Sequence, residues 1–320
     1  MINVEEYIQA VCKNETEAAF LMCTLENPVL NVLEGAQRLR ARLIEEIRSK
    51  YSQLDYNPAS HYVLEELISK DIGIWFPVVD HCNMNCAYCY HKSPIVRKPV
   101  VYHTDSIISD LNAVYEALKR KCPSIHYTIG LTGGDPLMHP HLDSILEAFP
   151  DRPENEYRTI VTNTIAGLRP RCAIALRKKE FQIAVSIYPG NQEHVGSFLH
   201  ACRQFELPFR TAIRDEFEVC KISSVPANML NRAVCNMTRT CVCLTVKEGR
   251  LYPCSESYHA KKLGVQLPLY SVAINDLESM DEAFLLAVLP QPLCAHCDVA
   301  GRHKTEWHPS SRDINEFLVQ

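Results

Sequence analysis

The chain has 320 residues and a formal net charge of −5, with 47% hydrophobic and 22% charged residues. These proportions are those of an ordinary globular protein, and the length suits one large domain or two modest ones. The acidic balance argues against a broad contact with a nucleic-acid backbone, so we expect no nucleic-acid partner. The N-terminus shows no signal-peptide pattern, and no apolar run approaches the ~20 residues that span a bilayer. We therefore expect a cytoplasmic protein without a membrane partner.

Cysteine is frequent, with 15 residues in the chain. In a reducing compartment, cysteines are more often metal ligands or buried thiols than disulfide partners. Their spacing, taken along the chain, decides between these two roles.

Residues 1–72 are predicted to form a helical N-terminal extension. Apolar residues recur at helical intervals over 4–20, 31–51 and 60–70, and Asn-Pro pairs separate these segments. Cys12 and Cys23 are predicted to be buried thiols. The extension carries no catalytic pattern, so it could cap the core, bind a substrate or partner, or mediate oligomerisation.

From residue 73 the pattern changes to alternating strands and helices. We predict strands at 74–79, 125–131, 157–162, 182–187 and 208–213, a sixth near 216–222, and helices at 104–121, 139–148, 169–178 and 192–205. Such alternation implies parallel strands joined by right-handed crossovers. The predicted fold class is therefore α/β, with a partial (β/α)6-type parallel barrel or an open parallel sheet over residues 73–230. The functional site is expected at the carboxyl ends of the strands.

Three cysteines follow the first predicted strand with the spacing C-x3-C-x2-C: Cys82, Cys86 and Cys89. A [4Fe-4S] cluster needs one ligand for each iron, so three thiolates leave one iron without a protein ligand. An open coordination position distinguishes a catalytic metal centre from a structural one. The alternatives are a structural zinc loop or free thiols, but zinc loops usually carry paired C-x2-C motifs.

This triplet resembles the one in the radical S-adenosylmethionine (radical SAM) superfamily, where it follows the first core strand. Members often place an aromatic residue before the third cysteine, as Tyr88 is placed here. The resemblance implies that the open iron binds the amino and carboxylate groups of S-adenosylmethionine. It also implies that an electron, from a reductant such as flavodoxin or ferredoxin, breaks a carbon–sulfur bond to give methionine and a 5′-deoxyadenosyl radical.

Later strand ends also match the family. Residues 133–136 resemble its Gly-Gly-Glu-Pro motif with Asp in place of Glu, residues 161–164 resemble its Thr-Asn-Gly segment, and residues 184–190 end a strand where many members contact S-adenosylmethionine. Each match alone is also explained by a turn or a polar strand end. The resemblance implies cofactor-binding roles for Tyr88, Gly133, Gly134, Asp135, Pro136, Asn163 and Ser186. No residue is assigned as a catalytic acid or base.

A second group of cysteines begins after residue 230: Cys235, Cys241, Cys243, Cys254, Cys294 and Cys297. A hairpin is predicted around Glu248-Gly249, and a helix is predicted at 276–289. The hairpin would bring Cys243 and Cys254 together, and the helix would return the chain with the C-x2-C pair. Four thiolates suit either tetrahedral zinc or a fully ligated [4Fe-4S] cluster, and spacing alone does not choose.

The spacing Gly249-x4-Cys254, followed by a helix and C-x2-C, resembles the Twitch domain, a shortened form of the SPASM auxiliary-cluster domain. The resemblance implies a small C-terminal domain over residues 231–320 with one auxiliary [4Fe-4S] cluster. Its implied ligands are Cys243, Cys254, Cys294 and Cys297, with Cys235 or Cys241 as alternatives to the first. The cysteines left over are predicted to be packed thiols: Cys122, Cys172, Cys202 and Cys220.

The activity implied by the resemblance is hydrogen abstraction from a small-molecule or peptide substrate. Electron transfer to the auxiliary cluster would make the outcome an oxidation, whereas a peptide-modifying enzyme would crosslink or epimerise its substrate. A non-enzymatic iron–sulfur or zinc scaffold is the alternative from another class. The cysteine triplet, which leaves one iron open, and the Gly-Gly-Asp-Pro motif that follows it argue against a scaffold. A scaffold protein that only carries a metal needs no ligand-binding site at its strand ends.

Overall fold

The computed structural model describes residues 3–25, 34–52, 72–121, 126–226, 235, 242–264, 271–274, 289–298 and 301–319. The N-terminal extension contains three helices: α1 (Val4–Val11), α2 (Glu15–Leu25) and α3 (Glu34–Lys50). The single helix predicted over 4–20 is wrong, because Asn14 interrupts it. The Asn14 side chain accepts a hydrogen bond from Glu17 N at 2.9 Å and so starts a new helix. The helix predicted at 60–70 lies outside the described residues.

Five parallel strands form the body of the sheet: β1 (Ile72–Val79), β2 (Tyr127–Gly133), β3 (Glu156–Thr162), β4 (Gln182–Ile187) and β5 (Phe209–Ile213). They lie in the spatial order β5-β4-β3-β2-β1. Four helices connect them: α4 (Thr104–Lys121), α5 (Leu142–Glu147), α6 (Pro170–Lys178) and α7 (Gln192–Gln204). The predicted α/β class with parallel strands is confirmed, and no barrel closure is found among the described strands.

The remaining elements are β6 (Glu216–Val219), β7 (Val242–Lys247), β8 (Arg250–Tyr252), α8 (Ser255–Ala260), β9 (Val272–Ala273) and β10 (His303–Glu306). The strand predicted near 216–222 exists as β6 but does not extend the parallel sheet. It pairs antiparallel with β10 instead. Only two residues separate β5 from β6, whereas a parallel crossover needs a dozen or more.

The free side of β1 is occupied by β7, which runs parallel to it. β7 and β8 form the predicted hairpin around Glu248-Gly249, with positive φ at both turn residues. The cysteine-rich segment is therefore joined to the sheet through the pairing of β7 with β1. The helix predicted at 276–289 falls almost wholly outside the described residues. Among the described helices, none is long and apolar enough to cross a bilayer.

Candidate functional site

A cavity of about 310 Å³ opens at the carboxyl ends of the parallel strands. Six of the predicted site residues line it: Cys82, Cys86, Cys89, Gly134, Asn163 and Ser186. The first three lie on the loop that follows β1, and the others follow or end β2, β3 and β4. The structure thus brings together, on one wall, residues that are about a hundred positions apart.

The loop begins at Asp80, a buried residue directly after β1. Its carboxylate pairs with Lys262 at 2.6 Å and accepts a hydrogen bond from the Tyr258 hydroxyl at 3.1 Å. Burial acts to raise the pKa of Asp80, but the charges of Lys262 and Lys247 outweigh burial and the pKa is lowered. An ionised Asp80 therefore fastens the start of the cysteine loop to the segment that follows Cys254.

The two glycines after β2 allow the backbone to press against this loop. Gly134 N donates to Val79 O at 2.9 Å, and Gly133 has a φ of +131°, a conformation that L side chains rarely adopt. A Cβ on Gly134 would lie 1.7 Å from His81 O, and one on Gly133 would lie 2.1 Å from Val79 O. The glycine pair is therefore required by the close packing of β2 on the cysteine loop.

Asp135 is fully buried, and it does not line the cavity. Its carboxylate accepts hydrogen bonds from the Thr162 hydroxyl at 2.9 Å, from Asn163 N at 2.8 Å and from Leu137 N at 3.0 Å. It was predicted to bind the cofactor, and the structure shows it tying the ends of β2 and β3 together. Burial raises the pKa of Asp135 to about 6, although all three donors act to lower it.

We expect Asp135→Asn to lower stability by about 1–3 kcal/mol, because an amide NH2 would face backbone and hydroxyl donors without a partner. Between pH 4 and 6 the native wild type holds a proton that the unfolded chain has lost, so its stability falls as pH rises through this window. The Asn variant lacks this titration. Melting temperatures of both proteins at pH 5 and pH 7.5 test the point: the wild-type advantage is expected to be larger at pH 5. A difference in melting temperature between wild type and variant that is larger at pH 7.5 than at pH 5 would contradict the raised pKa of Asp135.

Asn163 connects the end of β3 to the first cysteine. Its amide nitrogen donates to Cys82 Sγ at 3.2 Å and to Asn83 Oδ1 at 2.8 Å. Asn191, which no sequence motif singled out, is completely buried and donates to the backbone oxygens of Asn163 at 2.6 Å and Ser186 at 2.9 Å. Asn191 therefore holds two neighbouring strand ends at a fixed separation.

Besides Gly133 and Asp135, two more of the predicted cofactor residues do not line the cavity. Tyr88 has a φ of 55°, and its ring meets the His308 ring edge-on with centroids 5.8 Å apart. Pro136 is buried at the start of a short 3-10 turn. Cofactor-binding roles for both stay predictions.

The cavity also has polar lining residues that the sequence did not single out: His91, Thr132, Arg214, Glu216 and Glu218. His91 Nε2 lies 3.0 Å from the Thr132 hydroxyl. Burial, followed by the charges of Lys262 and Lys92, lowers the pKa of His91 to about 3, so the imidazole is neutral at physiological pH. The lining thus combines a neutral imidazole with three charged side chains that follow β5.

Hydrogen-bond donors surround the first sulfur of the cysteine loop. Cys82 Sγ accepts hydrogen bonds from Met84 N at 3.4 Å and from Asn163, and such donors stabilise the negative charge of a ligating sulfur. Burial raises the pKa of Cys86 to about 12, so its thiol stays protonated until a cation replaces the proton. Among the described side chains, no three His, Cys, Asp or Glu converge on a position for one metal ion. A cluster makes a different demand, because each thiolate binds its own iron.

In the second cysteine group, Cys254 is the N-cap of α8, and Cys294 and Cys297 lie in and just after the 3-10 turn Pro292–His296. Both Cys254 and Cys294 are close enough to Cys297 to raise its pKa, after the larger effects of Cys220 and burial. Cys220, which was predicted to be a packed thiol, is hydrogen-bonded to Cys297. The predicted thiols at Cys172 and Cys202 are buried as expected.

Three consecutive residues after Cys89 contact the segment that follows Cys254. The Tyr90 hydroxyl is hydrogen-bonded to Ser255 Oγ, and Lys262 Nζ donates to His91 O at 2.9 Å. Lys92 forms an ion pair with Glu256 at 3.1 Å, with side-chain exposures of 2% and 4%. The two cysteine regions are therefore joined by direct, largely buried polar contacts.

Comparison with known proteins gives one family match: residues 76–208 match the Radical SAM superfamily. None of the curated proteins compared matches the sequence. The chain is similar to the crystal structure of BtrN in complex with AdoMet and 2-DOIA, with 14% identity, a TM-score of 0.44, and coverage of 71% of this chain and 92% of that one.

Two further solved structures are similar over about half of their own length. Native anSMEcpe with bound AdoMet has 14% identity and a TM-score of 0.34, covering 44% of this chain and 43% of that one. SuiB from Streptococcus suis, bound to its precursor peptide SuiA, has 13% identity and a TM-score of 0.28, covering 56% of this chain and 52% of that one. The family match runs from within β1 to just before β5 and includes all six cavity-lining residues that were predicted.

Proposed function

We propose that this chain is a radical SAM enzyme and that it holds a [4Fe-4S] cluster on Cys82, Cys86 and Cys89. The observation that carries the proposal is that these three thiols line the same cavity as Gly134, Asn163 and Ser186. Bound there, the cluster and S-adenosylmethionine would supply a 5′-deoxyadenosyl radical that abstracts hydrogen from a small-molecule or peptide substrate.

The protein's own residues position the reacting groups. Asn163 orients Cys82 through its amide, and Asp135 fixes the backbone that carries Asn163. Ser186 offers a hydroxyl at the end of β4, and the neutral His91 offers a ring nitrogen that meets Thr132. Since these groups are held by buried hydrogen bonds, little reorganisation is needed when a ligand enters.

Charged residues after β5 are proposed to contact the substrate. Arg214, Glu216 and Glu218 line the cavity wall formed by β6 and by the short connection that precedes it. Charges of both signs on one wall suit a substrate with polar groups, such as an alcohol, an amine or a peptide unit.

We further propose that the second cysteine group holds one auxiliary [4Fe-4S] cluster of the Twitch type, in a C-terminal domain over residues 231–320. The proposed ligands are Cys243, Cys254, Cys294 and Cys297, with Cys235 or Cys241 as alternatives to Cys243. The closeness of Cys254 and Cys294 to Cys297 supports this set. An auxiliary cluster would accept an electron from the substrate, so oxidation is the proposed outcome, in a cytoplasmic enzyme served by a flavodoxin- or ferredoxin-like reductant.

Iron content and S-adenosylmethionine cleavage test the proposal together. After anaerobic reconstitution, we expect about eight irons per wild-type chain and about four in a Cys82/Cys86/Cys89→Ala variant. With dithionite and S-adenosylmethionine, only the wild type should release 5′-deoxyadenosine. A Cys294/Cys297→Ala variant is the matched control, because it should keep about four irons and still release the nucleoside. A wild type that binds zinc, or that releases no nucleoside with its full iron, would contradict the proposal.

A further inference from the structure

The C-terminal segment 303–310 closes over the cysteine loop. Its first part, β10, pairs with β6, and Trp307 N then donates to Asp215 O at 2.6 Å. Its last part pairs with the loop itself: Ala87 N donates to His308 O at 3.0 Å, and Cys86 faces Pro309 in an antiparallel bridge. The backbone of the middle cysteine is thus held by a strand from the far end of the chain.

A further anchor lies at Asn85, the residue directly before Cys86. Ser310 N donates to Asn85 O at 2.9 Å, and the Asn85 amide donates back to Ser310 O at 2.8 Å. Since backbone and side-chain bonds on both sides of Cys86 fix the register, the side chains of segment 303–310 hold defined positions over the cysteine loop.

Trp307 is the side chain that this register brings onto the loop. Its ring lies against the backbone of Gly190, where a Cβ would be 2.7 Å from the ring, and near the Met84 methyl. The indole nitrogen is buried and has no partner within hydrogen-bond distance. A buried N–H without a partner is costly, so its placement here calls for an acceptor. The group that it approaches is the thiol of Cys86, whose backbone pairs with Pro309, two residues after Trp307.

We propose that Trp307 is a positioning and tuning residue that donates its indole N–H to Cys86 Sγ when that sulfur ligates the catalytic cluster. This inference rests on the proposed function of the cysteine loop. A hydrogen bond to a ligating sulfur stabilises the more negative, reduced form of a cluster and so raises its reduction potential. Trp307, which does not line the cavity, therefore makes the cluster easier to reduce.

A redox titration of the reconstituted holoenzyme, followed by electron paramagnetic resonance, tests the proposal. The signal of the catalytic cluster is the one that changes when S-adenosylmethionine is added. We expect Trp307→Phe to retain the wild-type iron content and to shift the midpoint potential of this signal to a more negative value. Trp75→Phe is the matched control, because it removes the only other tryptophan of the chain, and it should leave the potential unchanged. A full-iron Trp307→Phe protein with the wild-type potential would overturn the proposal and leave the function of the loop intact.

A second measurement keeps Trp307 in place and so does not depend on how Trp307→Phe folds. In Trp75→Phe protein grown with ¹⁵N-tryptophan, Trp307 is the only labelled indole. We expect a ¹⁵N hyperfine coupling to the reduced catalytic cluster, together with an exchangeable proton coupling that disappears in D2O. Absence of both couplings in protein that cleaves S-adenosylmethionine would overturn the Trp307 proposal. Failure of the wild type to cleave S-adenosylmethionine would instead contradict the proposed function itself.

Discussion

Gly134→Ala is expected to lower the rate of 5′-deoxyadenosine release about a hundredfold, because displacements of about 1 Å in a catalytic site can have effects of this size. A Cβ at this position would lie 1.7 Å from His81 O and 2.2 Å from His81 C. These are backbone atoms of the cysteine loop, so no side-chain rotation can relieve the overlap. Either the end of β2 or the loop that carries Cys82 must move. The measurement is the initial rate of nucleoside release at matched iron content.

Gly196→Ala is the matched control for this substitution. Gly196 lies in α7, and a Cβ there would have no atom within 4 Å. Alanine in an exposed helix is favoured over glycine by about 0.5–1 kcal/mol, so this variant should be at least as stable as the wild type and fully active. If Gly134→Ala retained wild-type rates, the close approach of β2 to the cysteine loop would not be needed for cleavage.

Lys92→Met is expected to destabilise the protein by about 3–5 kcal/mol, since it leaves the charge of Glu256 buried without a partner. Both side chains of this pair are almost inaccessible to water, with exposures of 2% and 4%. The Lys92 ammonium also lies 5.3 Å from the centre of the Phe317 ring. Lys92 therefore links the region after the cysteine loop both to α8 and to Phe317. Such a loss should lower the melting temperature by about 10 °C.

A double substitution separates the charge effect from lost packing. Lys92→Met combined with Glu256→Leu removes both charges, and it should recover much of the stability that Lys92→Met loses. The matched surface control is Lys178→Met, which breaks an ion pair with Glu147 whose side chains are 61% and 45% exposed. That variant should lose less than about 1 kcal/mol. Equal losses for the two lysine variants would mean that the buried pair has no special role.

Elements with strong periodicity could be predicted to the residue. α4 was predicted at 104–121 and β4 at 182–187, and both are found at these bounds. The partner of β1 on its free side could not be predicted. Leu244 and Val246 indicate a strand in β7, but nothing local says that this strand pairs with β1, more than a hundred and fifty residues earlier. Likewise, β6 was recognised as a strand, and only the short β5–β6 connection excludes it from the parallel sheet.

The site could be predicted where a motif has fixed spacing. The three cysteines lie close together in the sequence, and so do the two glycines. The spacing within each motif was therefore enough to predict its role. Asn191 and Trp307 carry no such signal, because one buried asparagine or tryptophan looks like any other until the fold places it. Asp135 was predicted to bind the cofactor, and its hydrogen bonds to Thr162, Asn163 and Leu137 could be seen only in three dimensions.

The bridge between Cys86 and Pro309 also has a consequence for the order in which the protein is made. Ribosomes add about 5–20 residues per second, so the loop emerges roughly ten to forty seconds before the strand that covers it. During that interval the three thiols of a nascent chain have no C-terminal cover. We expect iron–sulfur assembly proteins to have their easiest access to the loop then, and oxidants to have it as well. Emergence of segment 303–310 would end this exposure, so the synthesis of that segment sets when the site becomes protected.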